Sequence, residues 1–507
     1  MNKTAKTSLL LAAVLTAVLC VSCGEAEQMD AAVTTGGTET AVTEAETDLA
    51  DVILDAIPEG TDFGGKEIRI RINEYDQTQY DSDVFMRGPE EADGDVVHDA
   101  ILARNQAVEE RLNVTFTYGE VSLAYNEVYN DIQKIIMAGD DVYDMYVDQQ
   151  SSLLKVAANN MLYNVYRSDA NDFSQNYWWD DYMEQIQISS EARYLLAGDY
   201  FLDVIEVASA IFFNKNMFAS NYESADELYQ MAFDGKWTID ALGVYIKDFS
   251  VDVDGNGTLN EGDTFAMNLS RNYMDAQCWG SGIDFMTRGE DGFPVIHMFD
   301  ERATTLMEKI VTNFIEPGTT YNYATVSGVT EAEYYQNQRK AFANRELLFL
   351  NDYLAAVKDL RDMPDDYGIL PVPKLDETIP EYRSISHDTA LVGGIPTTCP
   401  EPDTVLTVVE ALCSMSHHTT MTTYFESAMK VKYARDESSA RMIDLLHDSI
   451  TQSFPYAYTS QMGDYYEVFR SLFDQKSAAY PTTIAKKEKA INKALQKLID
   501  AYLEIEE

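Results

Sequence analysis

Along Asp252-Val253-Asp254-Gly255-Asn256-Gly257-Thr258-Leu259-Asn260-Glu261-Gly262-Asp263, oxygen-bearing side chains recur at alternate positions. Asp252, Asp254 and Asn256 take positions 1, 3 and 5, Asn260 position 9 and Asp263 position 12. With Gly257 at position 6 and an apolar residue at 8, the stretch matches an EF-hand calcium loop. Calcium takes about six to eight hard oxygens, and odd-position side chains point inward around such a turn. Thr258 would supply its backbone carbonyl, and Asn260 would act through a water. Gly257 allows the positive φ of the sharp bend. Asp263 stands where Glu is usual, so its shorter arm predicts a monodentate contact and weaker affinity. A structural Ca2+ site is expected. No second loop accompanies it, which argues against a switch. The preceding segment, 238–249, reads as a helix and the following one, 264–269, as a strand.

Other chemistry is poorly supported. His417 and His418 have no Cys or His at zinc spacing, and a helix surface accounts for them. With 85 Asp and Glu, some carboxylate pair at a glycosidase-like separation of about 5–9 Å is expected from composition alone. No nucleophile elbow, phosphate loop or HExxH motif occurs. The chain does not read as an enzyme. Only 37 Lys and Arg oppose the acidic residues, a net charge of -48, whereas nucleic acid is bound by clustered cations. A nucleic-acid partner is therefore excluded.

Cys23 carries a different kind of chemistry. Lys3 and Lys6 precede the apolar run from Ser8 to Leu19, followed by Cys20-Val21-Ser22-Cys23-Gly24. A basic start, an apolar core and small residues before a cleavage point describe a secretory signal peptide, here residues 1–22. The run is shorter than the roughly 20 residues that span a bilayer. The stretch resembles a bacterial lipobox, with Cys20 where Leu is usual, and this implies lipid attachment at Cys23. From Gly24 to Asp55 there is no Lys or Arg but much Asp, Glu, Ala and Thr. Such a segment buries too little to order itself, so 23–60 is expected to be a disordered acidic tether. After Cys23 only Cys278, Cys399 and Cys413 remain, too few for a disulfide framework.

The body, roughly 450 residues, exceeds one ordinary domain and predicts two lobes. Lys66–Asn73 alternates apolar and charged residues as a half-exposed strand should. Asp95–Leu112 has helical spacing interrupted by Arg104. Asn113–Tyr118 reads as a strand, 130–137 as a helix and Tyr143–Val147 as a third strand. Strand, helix, strand, helix, strand is the rhythm of a doubly wound sheet, where ligands sit beyond the strand carboxyl ends.

The order of these phrases resembles the family 1 extracellular solute-binding proteins, the carbohydrate-type receptors of ABC importers. The likeness is carried by 95–113, 138–144, Ile211–Phe218, Gly235–Asp240, Tyr367–Lys374 and Lys432–Ser438. It implies an α/β fold of two lobes, type II, each a sheet flanked by helices, with several hinge crossings. Residues 61–165 and 345–395 would form the N-terminal lobe. Residues 166–344 and 396–507 would form the C-terminal lobe, helical at its end. The resemblance further implies a monomer, outside the cytoplasm and lipid-anchored to the cell membrane, that captures a sugar or other small solute and delivers it to the transmembrane subunits of an ABC permease. The alternatives are a surface polysaccharide-binding lipoprotein without a transporter and, less favoured, a glycoside-acting enzyme.

Sugar receptors of this kind stack rings on aromatics and bind hydroxyls with Asp, Asn, Glu and Arg. Only four Trp occur. Trp178 and Trp179, followed by Asp180, come after the first expected crossing, and Trp279 sits in a glycine-flanked loop where an exposed ring is expected. Trp237 reads as packing at a helix start. Polar candidates by position are Asp148 and Gln149 at the third strand's end, Asp199 after Gly198, and Asn351 with Asp352 after an apolar strand.

Overall fold

The computed structural model describes residues 55–73, 86–222, 224–425 and 437–506. The expected signal peptide, Cys23, the tether as far as residue 54, and most of the Lys432–Ser438 phrase lie outside them. Two residues near the end of the expected tether are held against the body. Ile57 is buried, and Asp55 accepts two hydrogen bonds of 2.6 Å from the Arg111 guanidinium.

β1 (Lys66–Asn73) buries Ile68, Ile70 and Ile72, as its alternation predicts. Arg71 and Asn73 on its other face are buried too, because β1 is an inner strand covered on both sides. The helix Val96–Leu112 follows, capped by Asp95, whose carboxylate accepts from the Val97 and His98 N–H groups. Asn113 ends it in the left-handed conformation, φ 50°. The chain then enters β2 (Val114–Val121), parallel to β1, and returns through the helix Tyr125–Met137 to β3 (Met145–Gln149), parallel to β1 on its other side. The Arg104 interruption packs inward. Its guanidinium donates to the Met86 carbonyl at 2.8 Å and lies 4.7 Å over the Tyr200 ring.

A second sheet is built from β4 (Ser209–Asn214), β5 (Ser250–Val251) and β6 (Thr264–Asn268). After the hairpin of β7 (Met286–Arg288) and β8 (Pro294–Ile296) come β9 (Thr320–Tyr321), β10 (Leu347–Tyr353) and β11 (Tyr367–Leu370). Its order is β11-β4-β10-β6-β5, with β9 on β6. Three short strands complete the set: β12 (Ser384–Ile385), β13 (Leu391–Gly394) and β14 (Ile450–Thr451). β13 runs antiparallel to β3, so the first sheet reads β13-β3-β1-β2, and β12 pairs with β14 between the sheets' segments.

The sheet membership corrects the expected lobe boundaries. Of 345–395, only β13 joins the first sheet; β10 and β11 pair with β4 in the second. An apolar strand followed by Tyr367–Lys374 fits either sheet locally, and the pairing partners decide. Likewise the helix Pro402–Ser416, expected in the C-terminal lobe, packs on the first-sheet helix Val96–Leu112. Beyond residue 437 the described chain is largely helical, with helices Glu437–Ser449, Glu467–Asp474 and Tyr480–Glu506. Cys278, Cys399 and Cys413 are all free and buried.

Candidate functional site

Each sheet ends in a buried ion pair at the carboxyl end of an inner strand. On β3, Asp148 is fully buried and accepts from Arg71 Nη1 at 2.7 Å and Asn73 Nδ2 at 3.2 Å. Burial raises its pKa, and the adjacent Arg71 opposes that shift. On β10, Asp352 is fully buried and accepts from Arg339 Nε and Nη2 at 3.0 and 2.8 Å and from Gln338 at 2.9 Å. Asn351 beside it is held through its backbone, which exchanges hydrogen bonds of 2.7 and 2.9 Å with the Asn268 side chain. Asp148 and Asp352, selected from sequence as solute contacts, are thus engaged with buried arginines.

Gln149 is different. Its side chain is buried, and neither its amide nitrogen nor its oxygen has a hydrogen-bond partner among the described residues. Gln150 follows with its Nε2 also unpartnered, while its Oε1 accepts from the Tyr182 hydroxyl. Unmatched buried amides cost on the order of 1–3 kcal/mol each, so such atoms mark a place where a partner belongs. The segment after β12 brings the second sheet to this point. The Gln150 and Ser151 N–H groups donate to the Ala390 and Asp388 carbonyls, and the His387 ring lies 5.4 Å from Tyr353 at the end of β10 and 6.1 Å from Tyr456.

Sequence reasoning did not select Gln150, His387 or Tyr353. The polar pair closing an apolar strand was a signal for Gln150. Nothing local marked the other two, which are brought together by chain crossings. Glu206 was also missed. It is fully buried, 3.0 Å from Lys358 Nζ and bonded by the Tyr424 hydroxyl; a lone Glu within an apolar run was its signal.

The remaining candidates lie elsewhere. Trp178 is buried, donates to Glu410 at 2.9 Å and packs on Phe173 and Tyr177. Asp180 pairs with Arg193 at 2.7 Å. Trp179 is half-buried and donates to Asp199 at 2.8 Å, and its ring meets His447 edge-on. Asp199 also holds His417 Nδ1 at 2.6 Å, and that hydrogen bond raises the histidine's pKa above its ordinary 6.5. Asp199, His417 and His447 line a cavity of about 400 Å³ with Phe425 and Asp444. Trp279 does not lie in a loop. It belongs to the helix Tyr273–Gly280, is 6% exposed, and carries the Arg383 guanidinium 4.8 Å over its ring. Close packing fixes the helix there, since a Cβ on Gly280 would lie 2.6 Å from Val372. Trp237 is buried at a helix start, donating to the Pro371 carbonyl.

Residues 252–263 form the connection between β5 and β6, which pair antiparallel. A helix, Ile239–Lys247, precedes the loop. Carboxylate oxygens of Asp252, Asp254 and Asp263 lie within 4.8 Å of one another. Asp252 accepts from the Gly255 and Gly257 N–H groups, and the latter bond lowers its pKa, keeping it ionised. Gly257 adopts φ 84°. Asn256 Oδ1 accepts from the Thr258 N–H, the Thr258 carbonyl accepts from Asn260 Nδ2, and Asp263 is buried with both oxygens on backbone N–H groups. An all-oxygen set on a tight turn has the donor chemistry of a calcium site.

The fold, sheets flanked by helices, is that of the two-lobed sugar-binding proteins of ABC transporters. The sugar-binding protein MalE from Xanthomonas citri aligns at TM-score 0.55 and 11% identity, over 85% of this chain and 98% of that one. The substrate-binding protein Lmo0181 from Listeria monocytogenes, in complex with cycloalternan, aligns at 0.53 and 11%, over 85% and 99%. The galacto-N-biose/lacto-N-biose I-binding protein from Bifidobacterium longum, in complex with lacto-N-biose, aligns at 0.52 and 10%, over 87% and 98%. These neighbours are transport proteins, not enzymes. No protein-family profile and no curated protein matches the sequence. Among the described residues, no helix is long and apolar enough to cross a membrane.

Proposed function

We propose that this protein is the extracytoplasmic receptor of an ABC importer for a carbohydrate, an oligosaccharide in particular, and that it has no catalytic activity. The observation that carries the reading is the Gln149 amide at the carboxyl end of β3, buried with neither its oxygen nor its nitrogen partnered among the described residues, in a fold whose solved examples include sugar complexes. An amide offers one acceptor and two donors, matching the paired hydroxyls of a sugar. Ligand would favour the closed arrangement of the two sheets only through contacts that are better there than in the open one. A thermal-shift screen of mono- and oligosaccharides tests this. A sugar at about 100 times its Kd adds roughly 2.7 kcal/mol of stability, and Gln149→Ala should abolish the shift. A screen without any shift, or a shift that Gln149→Ala leaves intact, sinks the reading.

Delivery to permease transmembrane subunits and anchoring through an acylated Cys23 complete the proposal. Two or three acyl chains, each gaining on the order of 0.8 kcal/mol per buried CH2, hold a protein durably at a membrane. Mass spectrometry of the mature N-terminus is expected to show a modified Cys23; an unmodified one removes the anchor.

The loop from Asp252 to Asp263 is proposed to bind structural Ca2+ through Asp252, Asp254, Asn256, Asp263 and the Thr258 carbonyl, with Asn260 acting through water. Calcium titration calorimetry of the Asp252→Ala, Asp254→Ala double variant should show binding lost. Binding equal to that of the unaltered protein refutes the site.

A further inference from the structure

The helix Tyr480–Glu506 carries its charges against its own stability. Its inward face is Ile484, Ile491, Leu495, Leu498 and Tyr502, all buried. The opposite face bears Lys486, Lys489, Lys493 and Lys497 at helical spacing, i, i+3, i+7 and i+11, with Lys487 beside them. At 1.5 Å per residue this row is about 16 Å long. All five lysines are exposed, and none is within ion-pair distance of a carboxylate among the described residues. Like charges three and four residues apart repel. Asp500 and Glu504 follow toward the carboxyl end, where the helix dipole favours cations instead. The helix itself therefore gains nothing from the row. In a chain with 85 Asp and Glu against 37 Lys and Arg, residues 486–497 hold five lysines and one glutamate.

The make-up of the row indicates its partner. The helix has no Arg, so it offers no planar fork for one particular phosphate or carboxylate. Its two aromatic residues, Tyr480 and Tyr502, are buried, so no ring is presented to a sugar or a base. The exposed residues between the lysines are Ala485, Ala490, Asn492 and Gln496, which lack the large apolar anchors at the centre of a protein interface. What remains is a flat row of point charges on flexible stems, suited to an extended anionic surface.

We infer that this lysine row docks the body on a membrane surface of anionic lipid headgroups and so sets its orientation there. The inference rests on the reading of the protein as held beside a membrane. The acidic residues on other faces do not cancel the attraction, because charges are screened beyond about 8 Å at physiological ionic strength. Their repulsion turns the lysine face toward the lipid. The helix packs on Glu301–Ile310 and Glu467–Asp474, and its Tyr502 ring meets Tyr194, so seating it fixes the attitude of the whole body.

Cosedimentation of the full chain with vesicles of phosphatidylcholine alone and of equimolar phosphatidylcholine and phosphatidylglycerol tests the inference. Each lysine near an anionic surface tightens binding by about fivefold, so the anionic vesicles should be preferred at least about tenfold at low salt. The combined variant Lys486→Gln, Lys489→Gln, Lys493→Gln, Lys497→Gln should lose that preference, as should the unaltered chain in about 1 M salt. Lys236→Gln, at an exposed lysine on another element, should keep it. A lipid anchor acts equally on both vesicles, so the ratio isolates the row. A chain that ignores the neutral vesicles yet prefers the anionic ones would lack the anchor and retain the docking face. Equal binding to both vesicles, as a protein partner for the row would give, overturns the inference. So does a preference that survives the combined variant or high salt.

Discussion

Replacing Asp148 by Ala is expected to destabilise the protein by about 3 kcal/mol, the lower end of the ~3–5 kcal/mol for breaking a buried ion pair. Arg71 has no exposed surface and would lose its closest carboxylate, keeping among the described residues Asp131 at 3.1 Å, on a side chain 37% exposed. The cost is that of leaving a charge buried with half its partners. Urea unfolding should therefore show a lower midpoint with an unchanged slope. The double replacement Arg71→Met, Asp148→Leu should recover most of the loss, since a well-packed apolar pair of similar volume often matches a buried ion pair. An unchanged midpoint for Asp148→Ala would show that this carboxylate is not a structural anchor, and would return it to the list of solute contacts.

Arg339→Ala is expected to have an effect of the same class, about 3–5 kcal/mol, at the end of the second sheet. It leaves Asp352 buried with Gln338 and the Tyr353 N–H as its donors among the described residues. It also removes an apolar stem. Urea unfolding should show a lower midpoint with an unchanged slope. An unchanged midpoint would show that the Arg339–Asp352 pair does not anchor this strand end. Because Asp352 fixes the Tyr353 backbone, and Tyr353 contacts His387, sugar-induced stabilisation should weaken in the same variant.

Much of the first sheet was legible in the chain because its determinants are local. β1 coincides with its alternating run, the helix Val96–Leu112 starts at the capping Asp95, and β3 lies within two residues of its expected place. The clustering of Asp252, Asp254 and Asp263 was legible for the same reason, since all three lie within one twelve-residue turn. Asp148 and Asp352 were correctly found at strand ends, but position alone does not say where a carboxylate points. Arg71 is 77 residues from Asp148, and only sheet pairing brings them together. Trp279 read as a loop residue because glycines flank it, whereas Gly280 is there for a close approach to Val372.

By itself the sequence determined many of the elements, the acidic charge and the tight Asp- and Gly-rich turn at 252–263, because periodicity, composition and turn chemistry act over a few residues. Only the tertiary structure decided which strands share a sheet and that two buried arginines pin the strand ends. It alone also brought residues 388–390 onto Gln150 and Ser151, and the His387 ring beside Tyr353. Those outcomes depend on contacts between residues far apart in the chain, and pairing and burial set them once the chain has crossed between its sheets.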